Sequence, residues 1–133
     1  METKIKFVSP LFVTLPRKTK ADKKILLNLN VYRNLHFISN NQAKEIYCEE
    51  MSKQLKGIKF KNKIDITFTL FRGRNGLVDR SNILSIVEKF FCDALVHNGC
   101  LPDDNDEFIT ATHYYSGGYD KDKGRVEITV AMV

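Results

Sequence analysis

The sequence predicts an α+β fold, a single domain spanning residues 1–133 in which two main helices pack on one face of a mixed β-sheet. Three observations carry this. Segments with period-two alternation or β-branched and aromatic enrichment open and close the chain, and two segments with apolar residues at helical spacing lie between them. A length of 133 residues suits one core that buries roughly two thirds of the unfolded surface, with no second domain required.

In chain order, residues 4–14 (IKFVSPLFVTL from Ile5) read as an opening strand, with Pro10 marking an edge position or bulge. Residues 16–24 hold five basic side chains against one acid, the composition of an exposed loop or arm. LLNLNVYRNLHF then alternates well enough for a short strand or extended segment. Ser39 and Gln42 have capping-box spacing, and Ala43, Tyr47, Met51 and Leu55 fall at steps of four, so a helix is predicted from about 41 to 55, stopping at Gly57. Residues 58–71 alternate, with Ile64, Ile66, Phe68 and Leu70 pointing one way, and form a strand. After the loop RGRNGLVDRSN, the apolar face of Ile83, Val87, Phe90, Phe91, Ala94 and Leu95 predicts a long helix from Ser81 to about Asn98, with Gly99 at its C-cap. An acidic loop at 101–107 precedes two closing strands near 108–115 and 125–132, joined across SGGYDKDKG as a hairpin.

Composition narrows the function. Hydrophobic residues at 43%, with nine Phe and five Tyr, exclude a disordered or fibrous chain. The net charge of +5 favours a polyanionic partner. No apolar run reaches the ~18 residues that span a bilayer, and the start METKIKFVSP lacks a signal-peptide core and cleavage site. A cytoplasmic protein with no membrane partner is therefore expected, in the host-cell cytoplasm if the chain is phage-encoded. Cys48, Cys92 and Cys100 have no metal or redox spacing and are expected to be reduced, and His36, His97 and His113 have no zinc-ligand spacing.

Two places carry potential chemistry. Asp103, Asp104, Asp106 and Glu107 put four carboxylates in five residues, and such a cluster is either splayed into solvent or compensated by a cation. It lacks the glycine and distal Glu of a calcium loop. Asp79 ends the arginine-containing loop, flanked by Arg72, Arg74 and Arg80. Asn82, Lys89 and Asp93, at steps of seven and four, fall on one helical stripe and can share one site. Taken alone, that stripe is better explained as an exposed helix face with a weak Lys–Asp pair.

The run D-R-S-N from Asp79 to Asn82, then Lys89, D-A-L from Asp93, Gly99, and L-P-D-D ending at Asp104 resembles the RusA-like Holliday-junction resolvases of phages and prophages. The acidic pair follows the D-A-L aspartate by eleven residues, as in that family. A strand ending in Leu-Pro, a basic segment, N-x-Y at Asn30 to Tyr32 and a helix near 41 follow the same order, so the resemblance covers most of the chain, with residues 79–104 the specific part. The chain departs from the family in two respects. Ser81 stands where the family's second aspartate is usual, and the spacing from Asn82 to Asp93 is about one turn longer. An extra turn keeps the helical face, so Lys89 is the natural match to the family lysine, with Ser85 the rival position.

The resemblance implies a metal-dependent, structure-selective DNA endonuclease that resolves four-way junctions in recombination and repair, with Mg²⁺ or Mn²⁺ as cofactor. Asp79 and Asp104 are implied as metal ligands, Asp103 and Asp93 as further ligands or partners of bound water, and Lys89 as the group that offsets charge on the phosphate, held by Asp93. Asn82 is implied to cap the helix or bind a metal water, beside Ser81. Arg17, Lys18, Lys20, Arg72, Arg74 and Arg80 are the expected DNA contacts, with the lysine run Lys53, Lys56, Lys59, Lys61 and Lys63 as a second basic surface. Arg72, Arg74 and Arg80 are expected nearest the scissile bond. A C2 homodimer is implied by the symmetry of the junction, with apolar residues of the first and last strands as its interface. The alternative is a catalytically weakened junction-binding protein in which Ser81 marks loss of the metal centre. The enzyme reading requires Asp79 and the pair Asp103 and Asp104 to meet within a few ångströms.

Overall fold

The structure, a computed structural model, describes residues 4–133. The elements are β1 (Lys4–Ser9), β2 (Phe12–Leu15), β3 (Lys23–Leu26), α1 (Leu29–Asn34), α2 (Phe37–Leu55), β4 (Ile64–Arg72), α3 (Arg80–His97), β5 (Ile109–Tyr119) and β6 (Arg125–Met132). Four strands form a mixed sheet in the order β1-β6-β4-β5, and β2 with β3 makes a separate hairpin. The α+β class and the two main helices on one sheet face are as the sequence predicts.

The sheet face under the helices is the alternating apolar set. Ile64, Ile66, Phe68 and Leu70 of β4 and Val126, Ile128 and Val130 of β6 are all buried, because their period of two sends each to the same side. Phe91 of α3 seats against Phe7 and Phe68 at centroid distances of 5.8 and 6.0 Å. Between the helices, the Tyr47 ring meets Phe90 edge-on at 5.6 Å, and its hydroxyl donates to Ser9 Oγ at 2.7 Å. Ser9 Oγ passes its own proton to the Pro10 carbonyl, so this buried polar pair is satisfied. No helix among the described residues is long and apolar enough to cross a membrane.

Four sequence expectations are corrected. The opening strand is two, because the chain breaks at Pro10, where a proline cannot donate to a ladder. LLNLNVYRNLHF is not extended throughout: Asn28 accepts from the Val31 N–H and starts the short helix α1. Helix α2 begins at Phe37, capped by His36 Nδ1 rather than by Ser39. Strand β4 starts at Ile64, leaving 58–63 as loop.

The largest correction concerns the last two strands, which are not a hairpin. β5 lies parallel to β4, and β6 pairs antiparallel with β4 on its other side. Gly117 and Gly118 therefore lie inside β5, and the chain crosses over the end of β4 to reach β6. Two glycines permit that crossing, because a Cβ on Gly124 would lie 2.8 Å from the backbone nitrogen of Gly73. The Asp120 N–H secures it by donating to the Arg72 carbonyl at 2.8 Å. β6 is internal to the sheet, and its apolar residues Val126, Ile128 and Val130 fill the core.

Phe91→Ala is expected to cost about 3–5 kcal/mol, since it empties the site where three aromatic rings meet. Tyr47→Phe should cost only about 1 kcal/mol by leaving Ser9 Oγ with one partner fewer. Urea melts at fixed pH check both, and equal losses for the two variants would contradict this view of the core.

Candidate functional site

The topology decides which predicted site residues meet. Helix α3 leaves the end of β4 and returns the chain to the start of the parallel β5, so its first residue and the loop after it lie at opposite ends of the helix. Asp79 is the N-cap of α3, its side chain accepting from the Asn82 N–H at 3.3 Å. Asn82 is thus the capped residue and not the cap. Asp104 instead lies beside Cys92 and Asp93, which contribute to each other's electrostatics. From Asp79 to Cys92 is 13 residues of helix, a rise of about 20 Å. The expected cage of Asp79 with Asp103 and Asp104 is not formed, and no group of three His, Cys, Asp or Glu among the described residues converges on a common point.

A different set of groups shares a cleft. Ser85, Glu88, Lys89 and Cys92 from α3 face Asp104 and Asp106 from the acidic loop and Thr110 and Thr112 from β5, around a volume of about 520 Å³. The helical members follow steps of three and four and so form one stripe. Lys89 and Asp104, both singled out from the sequence, are brought together here. Glu88, Asp106, Ser85 and the two threonines were not assigned to the site, although Ser85 was the rival match to the family lysine. That Ser85 and Glu88 share the helix with Lys89 was legible, but which face of α3 meets the acidic loop was not.

Each side chain in the cleft is tuned by its neighbours. The Tyr114 hydroxyl donates to Glu88 Oε1, and burial together with that carboxylate raises the tyrosine's pKa, so it remains a proton donor that orients Glu88. Burial raises the Asp104 carboxyl above the usual range, and Asp103 and Asp93 add to the effect. Burial pushes the Cys92 thiol up to about 12 with Glu88, Asp104 and Asp93 reinforcing it, which makes it a packing residue rather than a nucleophile. Ser85 Oγ is buried without a hydrogen-bond partner among the described residues. Lys89 Nζ stands 5.9 Å from the Tyr32 ring centroid.

The remaining expected residues are placed elsewhere. Asp103 is spent within its own loop, accepting from the Asp104 N–H at 2.8 Å and from Asn105 Nδ2 at 3.2 Å. Asp93 pairs with Lys44 of α2 at 3.1 Å instead of holding Lys89. Ser81 is exposed on the first turn of α3. Arg72, Arg74 and Arg80 stay with Asp79 at the end of β4, so they are not the cations nearest Asp104. Arg17, Lys18 and Lys20 are exposed in the β2–β3 connection. The lysine loop from Lys56 to Lys63 is at the acidic end, where the Phe60 N–H donates to the Cys100 carbonyl at 3.0 Å and the Ile64 N–H to that of Phe108 at 2.9 Å.

The donors of the cleft are of the type a hard cation takes, although no three of them among the described residues are grouped closely enough to hold one unaided. Glu88, Asp104 and Asp106 offer only oxygen, the preference of Mg²⁺ and Mn²⁺, and a carboxyl whose pKa is raised by its neighbours is one that a cation would relieve. Asp79, held at a helix start and absent from this cleft, does not fit the same site. Compared with known protein families the chain matches none, and no curated protein is significantly similar to it in sequence.

These placements separate two roles. Asp79→Ala should lower stability by about 1 kcal/mol through the lost cap, whereas Asp79→Asn should be nearly neutral, and both should keep any rise in melting temperature given by Mn²⁺. Asp104→Asn should abolish that rise. Because the folded pKa of Asp104 is raised, the folded state binds its proton more tightly than the unfolded chain. That contribution is present at low pH and lost as pH rises through the folded value. Asp104→Asn should therefore raise the melting temperature at pH 7 in EDTA, with the gain fading below about pH 4. Thermal melts across pH, with and without Mn²⁺, check all of these.

Proposed function

We propose that this protein is a divalent-metal-dependent DNA endonuclease of the RusA-like junction-resolving kind, in a form that dispenses with Asp79: the meeting of Asp79 with Asp104 that the sequence reading required does not occur within one chain, and the reactive cleft proposed instead is on the middle of α3. The observation that carries the reading is that Lys89 and Asp104, the lysine and the trailing aspartate of the family-like motif, line one cleft with Glu88 and Asp106. Asp104 with one of Glu88 and Asp106 would hold Mg²⁺ or Mn²⁺, water and the substrate phosphate supplying the remaining oxygens, and the bound ion would supply a Lewis acid for the phosphoryl group and a nucleophilic water at neutral pH. Lys89 offsets charge on the phosphate oxygens, and Tyr114 holds Glu88 in orientation.

The basic surfaces supply affinity. Cations lie at both ends of α3: the lysine loop beside the acidic loop at one end, and Lys24, Arg72 and Arg74 together at the other. That distribution suits a branched duplex laid across the molecule, and two sites in a C2 homodimer would match the two strands to be cut. Each phosphate neutralised releases counterions, so binding should weaken steeply with salt.

The separation of Asp79 from Asp104 favours a second reading, a junction-binding protein without cleavage. A synthetic four-way junction distinguishes the two. The endonuclease should cut it with Mg²⁺ or Mn²⁺, and Asp104→Asn or Lys89→Ala should slow cleavage by about 10²-fold or more while leaving the gel shift in EDTA intact. A junction shifted equally well in EDTA and never cut with either metal would establish the binding protein instead.

A further inference from the structure

A second cleft, of about 470 Å³, lies at the opposite end of α3 from the acidic loop, and it joins charge and apolar surface in a way the first does not. Its floor is Leu11, Leu27, Leu70 and Ile83, and its sides are Leu26 from the hairpin and Val78 from the loop before α3. Among the described residues, Lys24, Arg72 and Arg74 are its only charged members, and no carboxylate lines it. The nearest acid in sequence, Asp79, is engaged at the start of α3 through the Asn82 N–H.

The cleft is a built feature rather than a gap between mobile loops. One wall is fixed where the Leu27 N–H donates to the Leu11 carbonyl at 2.9 Å, and the opposite wall where the Asp120 N–H holds the Arg72 carbonyl at 2.8 Å and Gly73 packs on Gly124. Lys24 is positioned over the Phe12 ring, its Nζ 4.1 Å from the centroid. Asn28 also lines the cleft. Its Oδ1 is taken by the Val31 N–H, which leaves the amide nitrogen as the donor for a ligand. Leu26 is 46% exposed and Val78 36%, apolar surface that carries a risk of aggregation unless something binds there.

A flat apolar group carrying negative charge on both sides is what an unpaired nucleotide within a strand presents. We infer that this cleft receives one unstacked base of single-stranded DNA, with the base against Leu26, Val78 and Ile83, the Asn28 amide on its polar edge, and the flanking phosphates on Lys24, Arg72 and Arg74. Arginine planes and aliphatic side chains both serve as stacking surfaces for extruded bases. The inference rests on the nucleic-acid part of the proposed function and not on cleavage. It gives the basic hairpin and the arginine loop a task, the capture of an unpaired base where a branch point opens, about one helix length from the acidic end.

The test compares a fluorescently labelled oligothymidylate with an abasic strand of the same length, by anisotropy, for the full chain in EDTA. The wild-type protein should prefer the base-bearing strand by roughly tenfold. Leu26→Glu, at an exposed position, should erase the preference at unchanged melting temperature, and Val78→Asp should do the same. Arg74→Ala should weaken both strands alike and reduce the salt slope. Equal affinity for the two strands overturns the inference, as does failure to bind either. An acidic amphipathic peptide that binds here and is lost on Leu26→Glu, with strand binding unchanged, also overturns it in favour of a protein partner. Junction cleavage with Mn²⁺ is read separately, so loss of base preference with cleavage intact removes this inference alone, and the converse removes the enzyme alone.

Discussion

The parallel pairing of β5 with β4 is the constraint on which the arrangement of chemistry depends. Two parallel neighbours must be joined by a crossover, here α3, which has to run back along the sheet. Every group at the start of that helix is thereby carried away from every group after its end. The arginines and the capping aspartate fall at one pole, the acidic loop and the lysine loop at the other, and only residues from the middle of the helix share a cleft with the acids.

The packing that holds α3 in this position is aromatic. Phe91 rests on Phe7 and Phe68, and Phe90 on Tyr32 and Tyr47, so one short stretch of helix is fixed from both the sheet and the helical layer. Lys89 immediately precedes these two rings, and Glu88 is held by Tyr114, whose ring in turn packs on Phe68 at 5.9 Å. The cleft is therefore braced by the core: rotating α3 to bring another face towards the acidic loop would strip both phenylalanines from their partners. A buried aromatic pair contributes about 0.5–1.5 kcal/mol beyond its area, and several such pairs act together to set one rotation.

Periodicity made the α+β class, both main helices and the core positions of β4 legible in the sequence. Local hydrogen-bonding decided the places where periodicity misled, since Asn28 turned an apparently extended segment into α1 and His36 began α2 ahead of the Ser39 signal. The order of the last strands was not legible, because Gly117 and Gly118 are ordinary turn chemistry, and only their pairing with β4 reveals them as interior to a strand. Lys89 and Asp104, which line the mid-helix cleft, were singled out by motif spacing. Asp79 satisfied the same spacing, yet the geometry makes it a helix cap, because an acid just before a helix suits a cap as well as it suits a metal. Glu88 escaped notice, and Asp106 stood out only as one of the acidic cluster, since nothing in a linear pattern says which side of α3 the returning loop will cover.

The central claim is that a hard cation binds at mid-helix. The most direct measurement is paramagnetic broadening of backbone amide resonances on titration with Mn²⁺. The account predicts selective loss of signal at Glu88, Lys89, Asp104, Asp106 and Thr110 to Thr112, with the amides of Asp79 to Asn82 spared. Broadening centred on Asp79, or spread evenly over the acidic surface with no preferred residues, would contradict it.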